Sequence, residues 1–291
     1  MVSLSPWKSH PLSALVRSRP FVPLTKFLAQ SSSQSSAQSK LLTESLIEPD
    51  RVTAAAQLQS TNHSPATEPI ITINSRISSW LTPIAYVLGA LLLPTYFRMR
   101  LMGQENLPRE GAVILAPTHR ARWDSLLVPY AVGRFVTGRD LRFMVSANEM
   151  TGLQGWLIRR LGGFPVNPCH PAIASLRYGV EVLQNQEMLV IYPEGNIFRD
   201  QQLRSLKPGL ARLALQAESS KPGLGIKVVP IHLEYDQPFP RLGCKVNITI
   251  GEPLEVSAYR QGSVKQNAQR LTEDLEAALR QIGDRGYDVN Y

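Results

Sequence analysis

Residues Ala112 to Val132 read AVILAPTHRARWDSLLVPYAV, and the order of residue types in this stretch decides the fold. The run AVILA is short, apolar and rich in β-branched residues, so it predicts a buried strand. SLLVPYAV predicts a helix, and PTHRARWD between them is a polar loop leaving the strand's carboxyl end. Strand, loop and helix in that order define an α/β unit. The pattern recurs outward: RFMVS from Arg142, MLVIY from Met188 and KVVPIHL from Lys227 predict further strands, and KVNITI from Lys245 alternates with period two. Helices are expected over Pro171 to Asn185, with Ile173, Leu176, Val180 and Leu183 on one face, and after Lys207, with Leu210, Leu213 and Ala217 on one face. A last amphipathic helix is expected over Val264 to Ile282. The predicted fold class is α/β, a mixed and largely parallel sheet flanked by helices.

Upstream the chain changes character. Residues 1–69 contain AQSSSQSSAQSK from Ala29 and lack patterned apolar surface, so they are expected to be a disordered tail. Their serine-rich, acid-poor composition also fits an organellar transit peptide. The net charge is +8, yet Lys8, Arg17, Arg19, Lys26 and Lys40 all precede the first acidic residue, Glu44. The remainder is only mildly basic, which argues against nucleic acid as a partner.

Residues 70–100 are expected to form a membrane-associating helical segment. From Trp80 to Phe97 no charge occurs, and Arg98 and Arg100 follow. A spanning helix needs about 20 apolar residues. The run is marginal for that, and Pro94 is expected to disturb its last turn. A span, a helix lying in one leaflet and a buried core helix are all compatible with it. The tryptophan at one end and the tyrosine and arginines at the other favour insertion into one leaflet. Residues 101–291 make the globular domain.

Functional groups in α/β folds collect in loops at the carboxyl ends of strands. His119 and Asp124 lie in such a loop, with Asp124 where the next helix starts, suited to capping it. A carboxylate bonded to one imidazole nitrogen fixes the tautomer and leaves the other nitrogen as a general base. A capping aspartate beside an unrelated surface histidine fits the same spacing. The second such junction, VIYPEGNIFRD (Val190 to Asp200), places Glu194, Gly195 and Arg199 after a strand. With Arg204, and with Lys207 ahead of a helix N-terminus, these residues predict an anion-binding corner. Trp123 fits either an acyl entrance or local packing, His232 a structural role, and His170 the start of a helix. Cys169 and Cys244 have no CxxC or zinc spacing, so neither a metal nor a disulfide framework is expected. No P-loop, GxGxxG or GxSxG stands at a strand end, which weakens nucleotide-binding and serine-hydrolase alternatives.

From about Met102 to Pro253 the chain resembles the glycerolipid acyltransferases typified by 1-acylglycerol-3-phosphate (lysophosphatidate) acyltransferase. His119 and Asp124 match the family's histidine-four-residues-aspartate box, YPEGN its Pro-Glu-Gly box, VVPIHL its Val-Pro-Ile strand, and LGGFPVN from Leu161 its acceptor box. Three of the boxes depart from the family: Thr118 stands for asparagine, Asn167 and Pro168 for Asp-Arg, and Asn196 and Ile197 for Thr-Arg, with the arginine delayed to Arg199. The resemblance implies a glycerol-3-phosphate acyltransferase-like fold with a membrane-associated N-terminal helix. It also implies acyl transfer from an acyl carrier protein or coenzyme A thioester to 1-acyl-sn-glycerol 3-phosphate, without a bound cofactor or metal. Glycerol 3-phosphate or another lysolipid as acceptor, and a non-catalytic lipid-binding membrane protein, are the alternatives. His119 is then the base and Asp124 its orienting group, with Glu194, Gly195, Arg199, Arg159, Arg160 and Lys207 holding the acceptor. Amides near Gly195 or the helix start are expected to face the oxyanion. The implied location is a membrane surface facing the cytoplasm, or the organelle interior if the tail is a transit peptide.

Overall fold

A computed structural model describes residue 73, residues 75–167 and residues 171–287; the tail of residues 1–69, Cys169 and His170 lie outside the described residues. Eight strands form one sheet: β1 (Arg98–Met102), β2 (Val113–Pro117), β3 (Leu141–Ser146), β4 (Gly163–Val166), β5 (Met188–Val190), β6 (Lys227–Tyr235), β7 (Lys245–Ile250) and β8 (Leu254–Glu255). Their order is β1-β7-β6-β2-β5-β3-β4, with β8 beside β6. The pairs from β6 through β4 are all parallel, whereas β7 and β8 run antiparallel to β6, and β1 pairs parallel with β7. The sheet is therefore mixed and largely parallel.

β2 and β5 are buried along their whole length because helices cover both faces of the sheet, which explains their unbroken apolar runs. Alternate residues of β2 serve opposite cores. Ile114 and Ala116 meet α5 (Ile173–Gln184), α6 (Gly209–Ser220) and α7 (Val264–Tyr287), through Leu183, Leu210, Leu213 and Leu275. Val113 and Leu115 meet α1 (Leu81–Tyr96) and α2 (Asp124–Val132), through Leu93, Leu127, Val128 and Ala131. Two further helices, α3 (Arg134–Thr137) and α4 (Gly152–Arg160), stand on the route into β3 and β4. Ile173, expected on the packed face of α5, is instead exposed, since the helix only begins there.

The apolar run from Trp80 differs from expectation in two ways. The helix continues past Pro94 to Tyr96, because only one hydrogen bond is lost there and buried Phe97 donates its amide to the Leu93 carbonyl. Arg98 and Arg100 then belong to β1, an edge strand, and not to the helical segment. At 16 residues α1 is about 24 Å long. Among the described residues no helix is long and apolar enough to cross a membrane.

Candidate active site

The loop after β2 and the loop after β5 meet over the carboxyl ends of adjacent parallel strands. Four bonds stitch them together. The Phe198 amide donates to the His119 carbonyl (2.8 Å), and the His119 amide donates to Glu194 Oε1 (3.1 Å). Arg120 Nη1 donates to both Glu194 oxygens (2.9 and 3.1 Å). Within the second loop the Arg204 amide also donates to Glu194 Oε2 (3.1 Å). Thr118, wholly buried, exchanges bonds with the backbone of Leu233 on β6, so the histidine loop is anchored at its base as well.

Within this frame His119 Nδ1 lies 2.8 Å from Asp124 Oδ2. Asp124 is the first residue of α2 and does not cap it. Its Oδ2 instead accepts the amides of Arg120 (2.6 Å) and Ala121 (2.9 Å), so the carboxylate holds the turn that presents the histidine. Oδ1 accepts Tyr235 Oη at 2.5 Å. Four donors thus replace the water that a carboxylate with no solvent exposure has lost. Burial first, and then the Asp124 charge, push the Tyr235 phenol far above its ordinary pKa, so Tyr235 remains a donor. The Tyr192 ring stacks on the imidazole, with centroids 4.1 Å apart, and burial raises its phenol pKa too. His232 is pushed down to about 4 by burial and by the Arg120 charge, so at neutral pH it is uncharged.

His119 opens onto a largely apolar cavity of about 1310 Å³. One side is built from α1 and α2, with Gly89, Leu93, Trp123 and Leu126, and another from β3, β4 and α4, with Phe143, Val145 and Ile158. Trp123 stacks on Tyr96 and also lines the cavity.

The expected acceptor-binding set divides. Lys207 lines the cavity with His119, Gly195 and the start of α6 at Gly209. Gly195 has φ +72, and a Cβ there would stand 2.7 Å from Lys207 Nζ; glycine is what lets the lysine lie across the turn. Glu194, by contrast, is buried with its oxygens committed to Arg120 and to backbone amides, so it frames the site and presents nothing to a ligand. Arg199 is exposed and lies over the Phe239 ring, and Arg159 and Arg160 close α4; none of the three lines the cavity. The Gly195 amide donates to the Tyr192 carbonyl, so it is not free to face an oxyanion. Tyr235, Tyr192 and Arg120 were not singled out from sequence. Their partners Asp124, His119 and Glu194 lie 111, 73 and 74 residues away by chain, and the only local signals are an aromatic preceding Pro-Glu-Gly and an arginine beside the histidine. Among the described residues no group of three metal-ligating side chains occurs.

A histidine–aspartate pair at the carboxyl end of a parallel sheet, facing a largely apolar cavity, is an α/β site with the parts of a general base. Residues 98–234 match the family model described as Acyltransferase. The chain is 25% identical over 158 residues to a 1-acyl-sn-glycerol-3-phosphate acyltransferase of Streptococcus pneumoniae, covering 52% of this chain and 53% of that one. The match to the Bacillus subtilis protein of the same name is 21% over 194 residues, covering 64% and 89%. The fold is that of the 1-acyl-sn-glycerophosphate acyltransferase PlsC of Thermotoga maritima, with a TM-score of 0.51, 20% identity, and coverage of 70% of this chain and 79% of that one.

Proposed function

We propose that the protein transfers a fatty acyl group from an acyl thioester, carried on coenzyme A or acyl carrier protein, to the free hydroxyl of 1-acyl-sn-glycerol 3-phosphate, forming phosphatidate. The observation that carries this is the 2.8 Å contact between His119 Nδ1 and Asp124 Oδ2 at the wall of the cavity. With Nδ1–H directed to the carboxylate, Nε2 is the nitrogen left to take the acceptor's proton. The oxygen attacks the thioester carbonyl, the tetrahedral intermediate expels the thiolate, and the proton on His119 goes to that sulfur. Asp124 stabilises the imidazolium between these two transfers. No step needs a metal or a bound cofactor.

Acceptor choice rests on charge. Lys207 and the first-turn amides of α6, which begins at Gly209, are positioned to bind the phosphate of the acceptor while its acyl chain enters the apolar part of the cavity. Membrane placement rests on α1, whose Ile84, Val87, Leu88 and Leu91 form an exposed stripe at helical spacing. At about 24 Å the helix is too short for a hydrocarbon core of about 30 Å, so it lies in one leaflet, on the cytoplasmic face or, with a transit peptide, inside an organelle. The purified chain with one labelled thioester and a panel of acceptors tests the reading. Labelled phosphatidate is expected, and it disappears in His119→Ala. Acylation of glycerol 3-phosphate alone would move the assignment to that acceptor, and wild-type turnover in the alanine variant would remove the proposed base.

A further inference from the structure

α4 carries an outward apolar row of which the cavity uses only Leu157. Leu153, Trp156 and Leu157 are all exposed, Leu153 by 80%, and their spacing puts them on one helix face. Arg160 extends that face by a turn and lies over the Trp156 ring at 5.3 Å. The opposite face is held rigidly: a Cβ on Gly155 would meet the Met150 carbonyl carbon at 2.2 Å, and Ile158 packs on Gly163.

This row is not isolated. The Arg160 carbonyl accepts the Ser78 amide (2.9 Å) and the Thr82 hydroxyl (3.2 Å), which joins the end of α4 to the start of α1. Around that joint stand exposed Trp80 and Arg76, with Arg159 and Arg160. α1 supplies Leu88 and Leu92 to the cavity, and α4 supplies Leu157 and Ile158, so the cavity lies between the two apolar rows. Exposed apolar surface on two adjoining helices, rimmed by two tryptophans and three arginines, is complementary to an anionic bilayer: aromatic rings suit the headgroup level and guanidinium groups suit lipid phosphate.

We propose that α4 is a second membrane-contact element, seated with Leu153, Trp156 and Leu157 at the interface of an anionic bilayer and with Arg159 and Arg160 on headgroup phosphates. The cavity then opens to the leaflet between α1 and α4, and an acceptor lipid enters without crossing water. Arg159 and Arg160 thereby bind bulk lipid and not the acceptor's phosphate. The inference rests on the leaflet placement of α1.

Flotation of the full chain with phosphatidylcholine vesicles, with and without phosphatidylglycerol, tests it. L153E/W156E and, separately, I84E/L91E are each expected to lower partitioning about tenfold, and R159A/R160A to abolish the preference for phosphatidylglycerol. L153E/W156E keeps wild-type turnover on short-chain, water-soluble substrates, since neither residue lines the cavity. If only I84E/L91E loses binding, α4 is not a contact and the α1 reading survives; if neither does, both fall. Loss of a wild-type dimer in L153E/W156E would instead assign the face to a second copy of the chain. In a chain whose other tryptophans are phenylalanine, quenching of Trp156 by brominated lipid supports the contact without a charged substitution, and unquenched fluorescence overturns it.

Discussion

Replacing Tyr235 by phenylalanine removes one atom from the candidate site, and its consequences follow from geometry. Tyr235 Oη is the partner of Asp124 Oδ1 at 2.5 Å, while His119 and two backbone amides share Oδ2. Asp124 has no solvent exposure, so water cannot take the vacated place. A hydrogen bond to a buried charge contributes about 2 kcal/mol, which in a domain of this size lowers the Tm by about 6 °C. The carboxylate is then held through one oxygen and can turn about its Cβ–Cγ bond, which loosens the imidazole it orients. The expected result is an approximately tenfold fall in kcat. The acceptor KM should stay unchanged, because Tyr235 does not line the cavity. Steady-state kinetics with thermal denaturation of the same samples reads both quantities. Wild-type kcat at saturating acceptor, whatever the change in Tm, would refute the claim that Tyr235 positions the dyad.

Three further outcomes are expected. Glu194→Ala leaves the buried Arg120 guanidinium without its partner, a loss of about 4 kcal/mol; urea titration should show a severely destabilised protein, and a stable variant with only a raised acceptor KM would return Glu194 to ligand binding. Lys207→Ala should raise the acceptor KM about tenfold with little change in kcat, and equal KM for phosphorylated and unphosphorylated acceptors in the wild type would sink the phosphate role. His232, lowered from 6.5 to about 4, binds its proton less readily folded than unfolded, so stability falls as pH drops from about 6.5 towards 4. The loss approaches about 3 kcal/mol, and His232→Gln should be relieved of it; an identical acid loss in wild type and variant by urea unfolding at pH 7 and pH 4 would contradict this.

Much of the architecture was legible because strands and helices write their burial in short-range periodicity. AVILA, MLVIY and KVVPIHL appear as β2, β5 and β6, and Lys207 precedes α6 much as expected. β1 and β4, the two ends of the strand order, were missed for the same reason. Arg98–Met102 pairs as an edge strand whose outward residues are arginines, and Gly163–Val166 carries a glycine and a proline, so neither shows the apolar run of a central strand. The site shows the same division. His119 and Asp124 are five residues apart, and a single loop suffices to bring them together. A glutamate in a polar loop after a strand has no local mark of burial; only the fold brings Arg120 against Glu194 across 74 residues.

The sequence by itself determined the alternation of strands and helices, the histidine–aspartate pair and the apolar segment before the domain, since each depends on neighbours within a few residues. The tertiary structure alone decided which glutamate is scaffold, which cation faces the cavity, that Tyr235 holds Asp124 from 111 residues away, and that α1 and α4 expose adjoining apolar rows. Those facts depend on strand order and helix docking. Burial of the two cores imposes these on the whole chain at once, and no short stretch of residues records them.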